Sequence, residues 1–398
     1  MASFANVPQS ASPKPAPFQV AISDEQIAEF QQLLRLSKVG PDTFEGRQID
    51  RRYGVTRDWL IQAKAEWEKF NWRACENRIN AVPNYTMPVP DTDGVTFNIH
   101  FIGLFSAKED AVPVLFLHGW PGNILEFIPI ISILQQRYTP ETLPYHIIVP
   151  SLPGYAFSSP APLFKDFQIQ DVARVMNTLM EQLGFSDGYI VQGGDIGSKI
   201  ARIIAVEHAS CKAIHVNFCI MPKPEGTSDL PVNQLEQQGL DRAFEFKRVG
   251  SGYALEHATK PSTIGLVLAT NPLALLAWIG EKFLDWTDDD PSMDEILSSV
   301  TLYWFTETFP RSMYPYRQLF TPGVIGAHEM PKWHIKKPFG FSWFPKELAP
   351  IPRSWAATTA DDLCFYRQHE KGGHFAALER PEVLLQDLED FIKQVWKN

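Results

Sequence analysis

Short, mainly apolar segments recur along the middle of the chain and alternate with amphipathic ones. The apolar runs cover residues 114–117, 146–150, 189–191 and 213–218. Mainly apolar runs of this length predict buried strands in a sheet that is covered on both faces. Between two of them, Ile169, Val172 and Met176 recur at helical spacing and predict a helix that ends at Gly184. The alternation predicts an α/β fold with a mostly parallel sheet.

The first ninety residues follow a different pattern. Ser23 and Gln26 match a capping box ahead of an apolar periodic segment, which predicts the start of a helix. A second helix is predicted after Thr56. Alternating apolar positions over residues 95–101, after an Asp-Gly turn, predict a strand. Residues 1–90 are therefore predicted to form a mainly helical N-terminal extension.

The alternation of strands and helices stops after residue 218 and resumes near residue 339. In between, prolines divide the sequence into short helical pieces and loops. A strand pattern that is interrupted in this way and then resumes indicates a cap inserted between two strands of the sheet. The predicted organisation is an α/β core of residues 91–218 and 334–398, with a helical cap over residues 219–333.

Composition narrows the choice of partners and compartment. The chain has 398 residues, 44% of them hydrophobic, and a net charge of −10, which argues against nucleic acid or an anionic membrane as partner. No signal peptide pattern is present, and the longest apolar stretch is interrupted by Asn271 and Pro272. The four cysteines are scattered, as is typical of reduced intracellular proteins. We expect a soluble, cytoplasmic protein without a membrane anchor.

The sequence Gly-Gly-Asp-Ile-Gly at residues 193–197 is the strongest chemical signal. It lies between the apolar run 189–191 and isoleucines at helical spacing, which is the setting of a nucleophile elbow. Asp195 stands where serine is usual. A carboxylate can displace a group from a saturated carbon and leave an alkyl ester that water then cleaves. The motif therefore indicates enzymes that open epoxides or remove halogens, although a solvated Asp-Gly turn would look similar.

A histidine and an acid follow in the order that α/β-hydrolases use. His374 comes after two glycines, just past the last predicted strand. Glu347 follows the strand predicted at residues 339–343, at its carboxyl end, and is the expected orienting acid. Asp361 and Asp362 are rivals, but they precede the final strand and should lie at the other end of the sheet. Asp195, Glu347 and His374 form the predicted triad.

Backbone donors are expected beside the nucleophile. The sequence His-Gly-Trp-Pro closes the strand predicted at residues 114–117. The N–H groups of Trp120 and Ile196 could converge there to form an oxyanion hole. A plain β-turn is the alternative for this segment. No His-Glu-x-x-His or Cys/His ligand spacing occurs, so no metal or cofactor is expected.

Several separated motifs together resemble one family. The elbow Gly-Gly-Asp-Ile-Gly, the His-Gly-Trp-Pro turn, the Ser-Leu-Pro-Gly-Tyr segment, the cap segment 252–261 and the terminal Gly-Gly-His-Phe-Ala-Ala match microsomal-type epoxide hydrolases of the α/β-hydrolase superfamily. The resemblance runs from about residue 18 to the C-terminus. It implies an α/β-hydrolase fold and the hydrolysis of an epoxide to a vicinal diol through an aspartyl ester. The many aromatic residues of the cap and core indicate that the epoxide is apolar, including aryl epoxides.

The resemblance also implies two cap tyrosines that hold the epoxide oxygen. Tyr253 lies in the matched cap segment and is carried over directly. Tyr316 is the better match for the second position, and Tyr314, two residues away, stays open as its alternative. A buried tyrosine with a satisfied hydroxyl is the structural alternative for each.

Two departures from the resemblance shape the other expectations. Membrane-bound members carry an anchoring helix, whereas residues 1–17 are rich in proline and predict a loose or surface-draped arm with flexible first residues. That arm could embrace a second copy, so a homodimer is expected.

Ile196 stands where a halide-binding tryptophan is common, which weakens the haloalkane dehalogenase alternative. A non-catalytic binding protein is the third hypothesis. Detoxification and a dedicated metabolic step are equally compatible with the chemistry.

Overall fold

The computed structural model describes residues 4–226, 230–320 and 328–397. Residues 227–229 and 321–327 of the predicted cap lie outside the described residues. So do residues 1–3 of the predicted N-terminal arm.

The described strands form one sheet. They are β1 (Ala16–Phe18), β2 (Asn84–Pro90), β3 (Thr96–Leu104), β4 (Val112–Leu117), β5 (Tyr145–Pro150), β6 (Tyr189–Gly193), β7 (Cys211–Val216), β8 (Phe339–Trp343) and β9 (Leu363–Gln368). Their spatial order is β1-β2-β3-β5-β4-β6-β7-β8-β9. The strands from β5 to β9 in this order are parallel, whereas β1, β2 and β3 pair antiparallel. The predicted mostly parallel sheet is confirmed.

The helices cover the sheet and form the segment inserted into it. They are α1 (Asp24–Leu36), α2 (Arg57–Trp67), α3 (Trp72–Asn80), α4 (Ile128–Arg137), α5 (Ile169–Met180), α6 (Asp195–Glu207), α7 (Gln234–Glu245), α8 (Gly252–Thr259), α9 (Pro261–Leu268), α10 (Pro272–Trp286), α11 (Met293–Phe305), α12 (Thr308–Arg311), α13 (Arg353–Ala357), α14 (Ala376–Glu379) and α15 (Pro381–Val395). Helices α5 and α6 pack together, as do α4 and α15, and α6 and α15 contact the central strands.

Helices α7 to α12 lie between β7 and β8. Because β7 and β8 are adjacent and parallel, this segment leaves the sheet at the carboxyl end of β7. Asn271 caps α10 through its side chain, and the break it makes explains why the apolar stretch noted in the sequence forms two helices. Among the described residues, no single helix is long and apolar enough to cross a membrane, and α9 with α10 reaches that length only across a 118° bend.

The described part of the N-terminal arm, expected to be loose or surface-draped, is bound to the rest of the chain. Phe4 is buried, and its carbonyl oxygen accepts a 2.9 Å hydrogen bond from the N–H of Phe105. The N–H of Ser12 donates to the carbonyl oxygen of Gln182 at 2.8 Å. Further along, β1 pairs with β2. The described part of the arm is therefore bound to its own chain, because its backbone groups and one aromatic ring find partners there.

Candidate active site

Parallel strands bring the predicted site residues to one edge of the sheet. Strands β4, β6, β8 and β9 share a direction, so their carboxyl ends meet there. Trp120 follows β4, Asp195 follows β6, Glu347 follows β8, and His374 follows β9. Segments far apart in the sequence thus converge on Asp195.

Asp195 occupies a tight turn between β6 and α6. Its φ angle is 44°, in the left-handed region that residues with a side chain rarely adopt. A Cβ on Gly193 would lie 2.4 Å from the carbonyl oxygen of Gly197, and one on Gly197 would lie 2.2 Å from that of Leu117. The two glycines let the start of α6 press against the strands. The strained turn then presents the Asp195 carboxylate at the sheet edge.

Two backbone N–H groups bind the Asp195 carboxylate. The N–H of Trp120 donates to Oδ1 at 2.8 Å, and the N–H of Ile196 also donates to the carboxylate. These are the two donors expected from the sequence. Burial raises the pKa of Asp195, but the hydrogen bond and charge of His374, together with these N–H groups, outweigh it and lower the pKa below its usual value. Asp195 is therefore ionised at neutral pH.

His374 bridges Asp195 and Glu347. Its Nε2 lies 3.3 Å from Oδ2 of Asp195, and its Nδ1 lies 2.5 Å from Oε1 of Glu347. Its backbone N–H donates to the carbonyl oxygen of Trp286, the last residue of α10, at 2.8 Å. Burial alone would lower the pKa of His374, but the two carboxylates raise it to about 10. The imidazole is therefore oriented by both the sheet and the inserted helices.

Glu347 is fixed from two sides, and the rival acids lie elsewhere. Its Oε1 accepts a hydrogen bond from the N–H of Leu348 at 2.6 Å, and its carbonyl oxygen accepts one from Nε of Arg242 at 2.8 Å. Asp361 and Asp362 are exposed and directly precede β9. Since parallel strands begin at the opposite edge, the structure brings Glu347, and neither of the two aspartates, to His374.

The rings of Tyr253 and Tyr316 pack against each other and against the ring of Trp120. Tyr253 lies on α8 and Tyr316 on the 3₁₀ turn Tyr314–Phe320. Their ring centroids are 5.8 Å apart, and their hydroxyl groups interact. The ring of Trp120 stacks on that of Tyr253 at 5.3 Å, with 13° between the planes. Burial raises the pKa of both phenols, and the nearby Asp195 carboxylate adds to this, so both are neutral donors.

Tyr314 points to a different part of the structure. Its hydroxyl donates to the carbonyl oxygen of Pro153 at 3.0 Å, and its ring packs against Phe167 at 5.3 Å. The structure therefore places Tyr316, and not Tyr314, beside Tyr253.

A small cavity adjoins the triad, and one of its lining residues, Glu126, was not predicted from the sequence. Its volume of about 20 Å³ is room for one water molecule. Asp195, His374 and Glu126 are among its lining residues. Burial raises the pKa of Glu126 to about 8, and its Oε1 accepts the N–H of Asn123 at 3.0 Å. The sequence signal at Glu126 was a capping box with Asn123, which predicts only a helix start.

Comparisons with known proteins identify the family. Residues 15–127 match the family described as epoxide hydrolase N terminus, and residues 112–296 match the alpha/beta hydrolase fold. The solved structure of Aspergillus niger epoxide hydrolase is 50% identical to this chain. It superposes with a TM-score of 0.94 over 99% of this chain and 100% of that one. The chain belongs to the epoxide hydrolase family.

Relatives from animals extend the similarity. Epoxide hydrolase 1 of Sus scrofa is 31% identical over 94% of this chain and 88% of its own length. The juvenile hormone epoxide hydrolase of the silkworm Bombyx mori is 25% identical, with a TM-score of 0.84 over 99% of this chain and 97% of that one. The chain is an epoxide hydrolase with the α/β-hydrolase fold, as its motifs predict. The names of these relatives support neither the dehalogenase nor the binding-protein alternative.

Among residues 4–226, 230–320 and 328–397, no group of three or more His, Cys, Asp or Glu side chains is arranged to hold a metal ion. The chemistry open to the described side chains is nucleophilic attack by a carboxylate, proton donation by phenols and proton transfer through imidazole.

Proposed function

We propose that this epoxide hydrolase converts an apolar epoxide and water into a vicinal diol through an ester on Asp195. One observation carries the mechanism. The Asp195 carboxylate is held by the Trp120 N–H at Oδ1, while its Oδ2 lies 3.3 Å from His374. One oxygen is thereby kept as the future ester carbonyl, and the other is left to attack.

Ring opening uses Asp195 and the two cap tyrosines. Oδ2 of Asp195 forms a bond to one oxirane carbon while the bond from that carbon to the oxirane oxygen breaks. Tyr253 and Tyr316 hydrogen-bond that oxygen, and Tyr253 gives it a proton. The products are a hydroxyalkyl ester on Asp195 and a phenolate on Tyr253. The buried phenols favour this role because they reach the substrate as neutral donors.

His374 then becomes the base. The ester carries no charge, so one of the two carboxylates that raised the pKa of His374 is gone, and the imidazolium proton moves to the Tyr253 phenolate. Neutral His374, oriented by Glu347, takes a proton from water as the hydroxide attacks the ester carbonyl. The N–H groups of Trp120 and Ile196 stabilise the oxyanion. The diol leaves, and Asp195 is again ionised beside protonated His374.

The cavity beside the triad supports the hydrolytic step. It offers room for one water molecule next to His374, and Glu126 lines the same space. A carboxyl group whose pKa is raised to about 8 is largely protonated at neutral pH, so it can donate a hydrogen bond to that water.

The substrate side of the site favours apolar, including aryl, epoxides. The tyrosine pair is framed by the rings of Trp120, His257 and Trp286. Such surfaces bind flat apolar groups and offer few polar partners.

The mechanism is tested by mass spectrometry of intact protein. His374→Gln is exposed to styrene oxide and, separately, to a haloalkane, with Asp195→Ala as the matched control. We expect His374→Gln to gain the whole mass of the epoxide on the peptide that holds Asp195, and Asp195→Ala to gain nothing. Steady diol production by Asp195→Ala would contradict the mechanism, and an adduct formed with the haloalkane alone would favour the dehalogenase.

Other expectations from the sequence stay predictions. These are the boundaries of the cap, a homodimer, a cytoplasmic location, and a role either in detoxification or in a dedicated metabolic step.

A further inference from the structure

Lys282, on α10, is a buried cation enclosed by aromatic rings. The residue is 4% exposed. Its Nζ lies 4.6 Å from the ring centroid of Tyr253, 5.5 Å from that of Trp278 and 5.9 Å from that of Trp286. Burying an ammonium group is costly unless other groups compensate it, and here three ring faces and an ion pair with the neighbouring Glu281 do so. The shortest of the three ring contacts is with the proposed proton donor.

The ammonium of Lys282 is paired with Glu281 and at the same time lies over the ring of Tyr253. On the same helix, the side chains of Glu281 and Asp285 are each about one-third exposed, and desolvation raises the pKa of Asp285 to about 6. Across from it on α8, burial lowers the pKa of His257 to about 3, and Lys282 adds to this, so that imidazole is neutral. Its Nε2 accepts the indole N–H of Trp278 at 3.1 Å.

We propose that Lys282 is a positioning residue for ring opening, which acts by stabilising the phenolate that Tyr253 becomes when it protonates the oxirane oxygen. The inference rests on the donor role of Tyr253 in the proposed function. In that step the negative charge leaves Asp195 and arrives on Tyr253, whose ring faces the Lys282 ammonium. A phenolate shares its charge with the ring, so a cation over the ring face attracts it more strongly than it attracts the neutral phenol.

A purely structural role for Lys282 is separable from this one. If the lysine only packs against aromatic rings, its removal should matter equally whether residue 253 is tyrosine or phenylalanine, because both present the same ring. If it stabilises the phenolate, its removal should matter only when the hydroxyl is present. A double-mutant cycle between Lys282→Met and Tyr253→Phe distinguishes these roles.

The experiment measures the rate of ester formation by rapid quench and intact mass, in a His374→Gln background with styrene oxide as the probe. We expect Lys282→Met to slow ester formation about tenfold when Tyr253 is present, and less than about twofold in Tyr253→Phe. Lys282→Arg should recover most of the rate, because it restores the charge over the ring. If Lys282→Met does not fold, Lys282→Gln is measured in its place.

The outcomes separate this inference from the mechanism beneath it. Equal slowing in both backgrounds, or no slowing in either, would overturn the role of Lys282 while the ester still forms. Absence of any ester in the His374→Gln parent would instead overturn the proposed function. Slowing confined to the background with Tyr253, with recovery by arginine, supports the assignment.

Discussion

Nδ1 of His374 lies 2.5 Å from Oε1 of Glu347, and both side chains are buried. The contact fixes the ring so that Nδ1 donates to the carboxylate and Nε2 faces Asp195. It also means that the charge state of His374 depends on an acid supplied by a different strand. Two properties of the enzyme, its pH dependence and the rate of its second step, should therefore respond to Glu347.

Glu347→Gln should slow hydrolysis of the ester far more than its formation. The amide has a similar shape but no charge to stabilise the imidazolium that forms when His374 takes a proton from water. Loss of effective general-base catalysis is expected to reduce the hydrolysis rate by roughly 10² to 10⁴-fold. Single-turnover measurements of ester formation and decay check this. Equal slowing of both steps would contradict the assignment of Glu347 to the base.

The same substitution should change how stability depends on pH. The pKa of His374 is about 10 in the folded protein, against about 6.5 for an ordinary histidine. Because the folded value is raised, this group's contribution is fully present below pH 6.5 and is lost as the pH rises through about 10. Wild-type Tm should therefore fall more steeply than that of Glu347→Gln across this window. Parallel Tm profiles would show that Glu347 does not raise the pKa.

Replacing each of the three tyrosines near the site by phenylalanine should affect ester formation differently. Tyr253→Phe and Tyr316→Phe each remove a phenol whose pKa the Asp195 carboxylate raises. Each should slow ester formation, by roughly 10² to 10³-fold if it acts like a lost oxyanion donor. Tyr314→Phe is the matched control, because its hydroxyl binds the carbonyl oxygen of Pro153. We expect it to lose about 1 kcal/mol of stability and little activity. Ester formation slowed as strongly in Tyr314→Phe would contradict the geometry.

Glu126→Gln tests the carboxyl group in the small cavity. Glutamine keeps an acceptor for the N–H of Asn123, so the helix start should be preserved. It cannot lose a proton, however, so any inflection of the ester hydrolysis rate near pH 8 in the wild type should disappear. Ester decay measured from pH 6 to 10 checks this. An unchanged inflection in the variant would show that the titrating group is another residue.

Most of the site could be predicted because its signals are local in sequence. The elbow around Asp195 needs glycines at fixed positions, and those positions are visible as a motif. His374 and Glu347 each directly follow a strand that the apolar pattern reveals. The carboxyl ends of parallel strands meet at one edge of the sheet. Asp361 precedes β9, so it is expected at the opposite edge, away from His374.

The residues that sequence reasoning missed depend on packing between distant segments. Glu126 lines the same cavity as Asp195 and His374 only because the segment after β4 packs against the ends of β6 and β9. Lys282 contacts Tyr253 only because α10 packs beside α8, and a lysine in an apolar helix carries no sequence signal for such a contact. For the same reason the sequence left open whether the N-terminal arm is loose or surface-draped, since the partner that binds Phe4 lies about a hundred residues away.

Gly119→Ala should abolish ester formation while Gly252→Ala leaves it intact. A Cβ on Gly119 would lie 2.1 Å from Oδ1 of Asp195, so either the carboxylate or the turn that carries the Trp120 N–H must move. Around Gly252, next to Tyr253, no described atom other than those of its chain neighbours and of its own helix backbone lies within 4 Å of the added Cβ. Overpacking at residue 119 should also cost about 1–3 kcal/mol of stability, whereas alanine in α8 should be neutral or mildly stabilising. Ester formation and Tm are measured for both variants. If a folded Gly119→Ala enzyme forms the ester at the wild-type rate, the close contact between this turn and Asp195 is not required for attack.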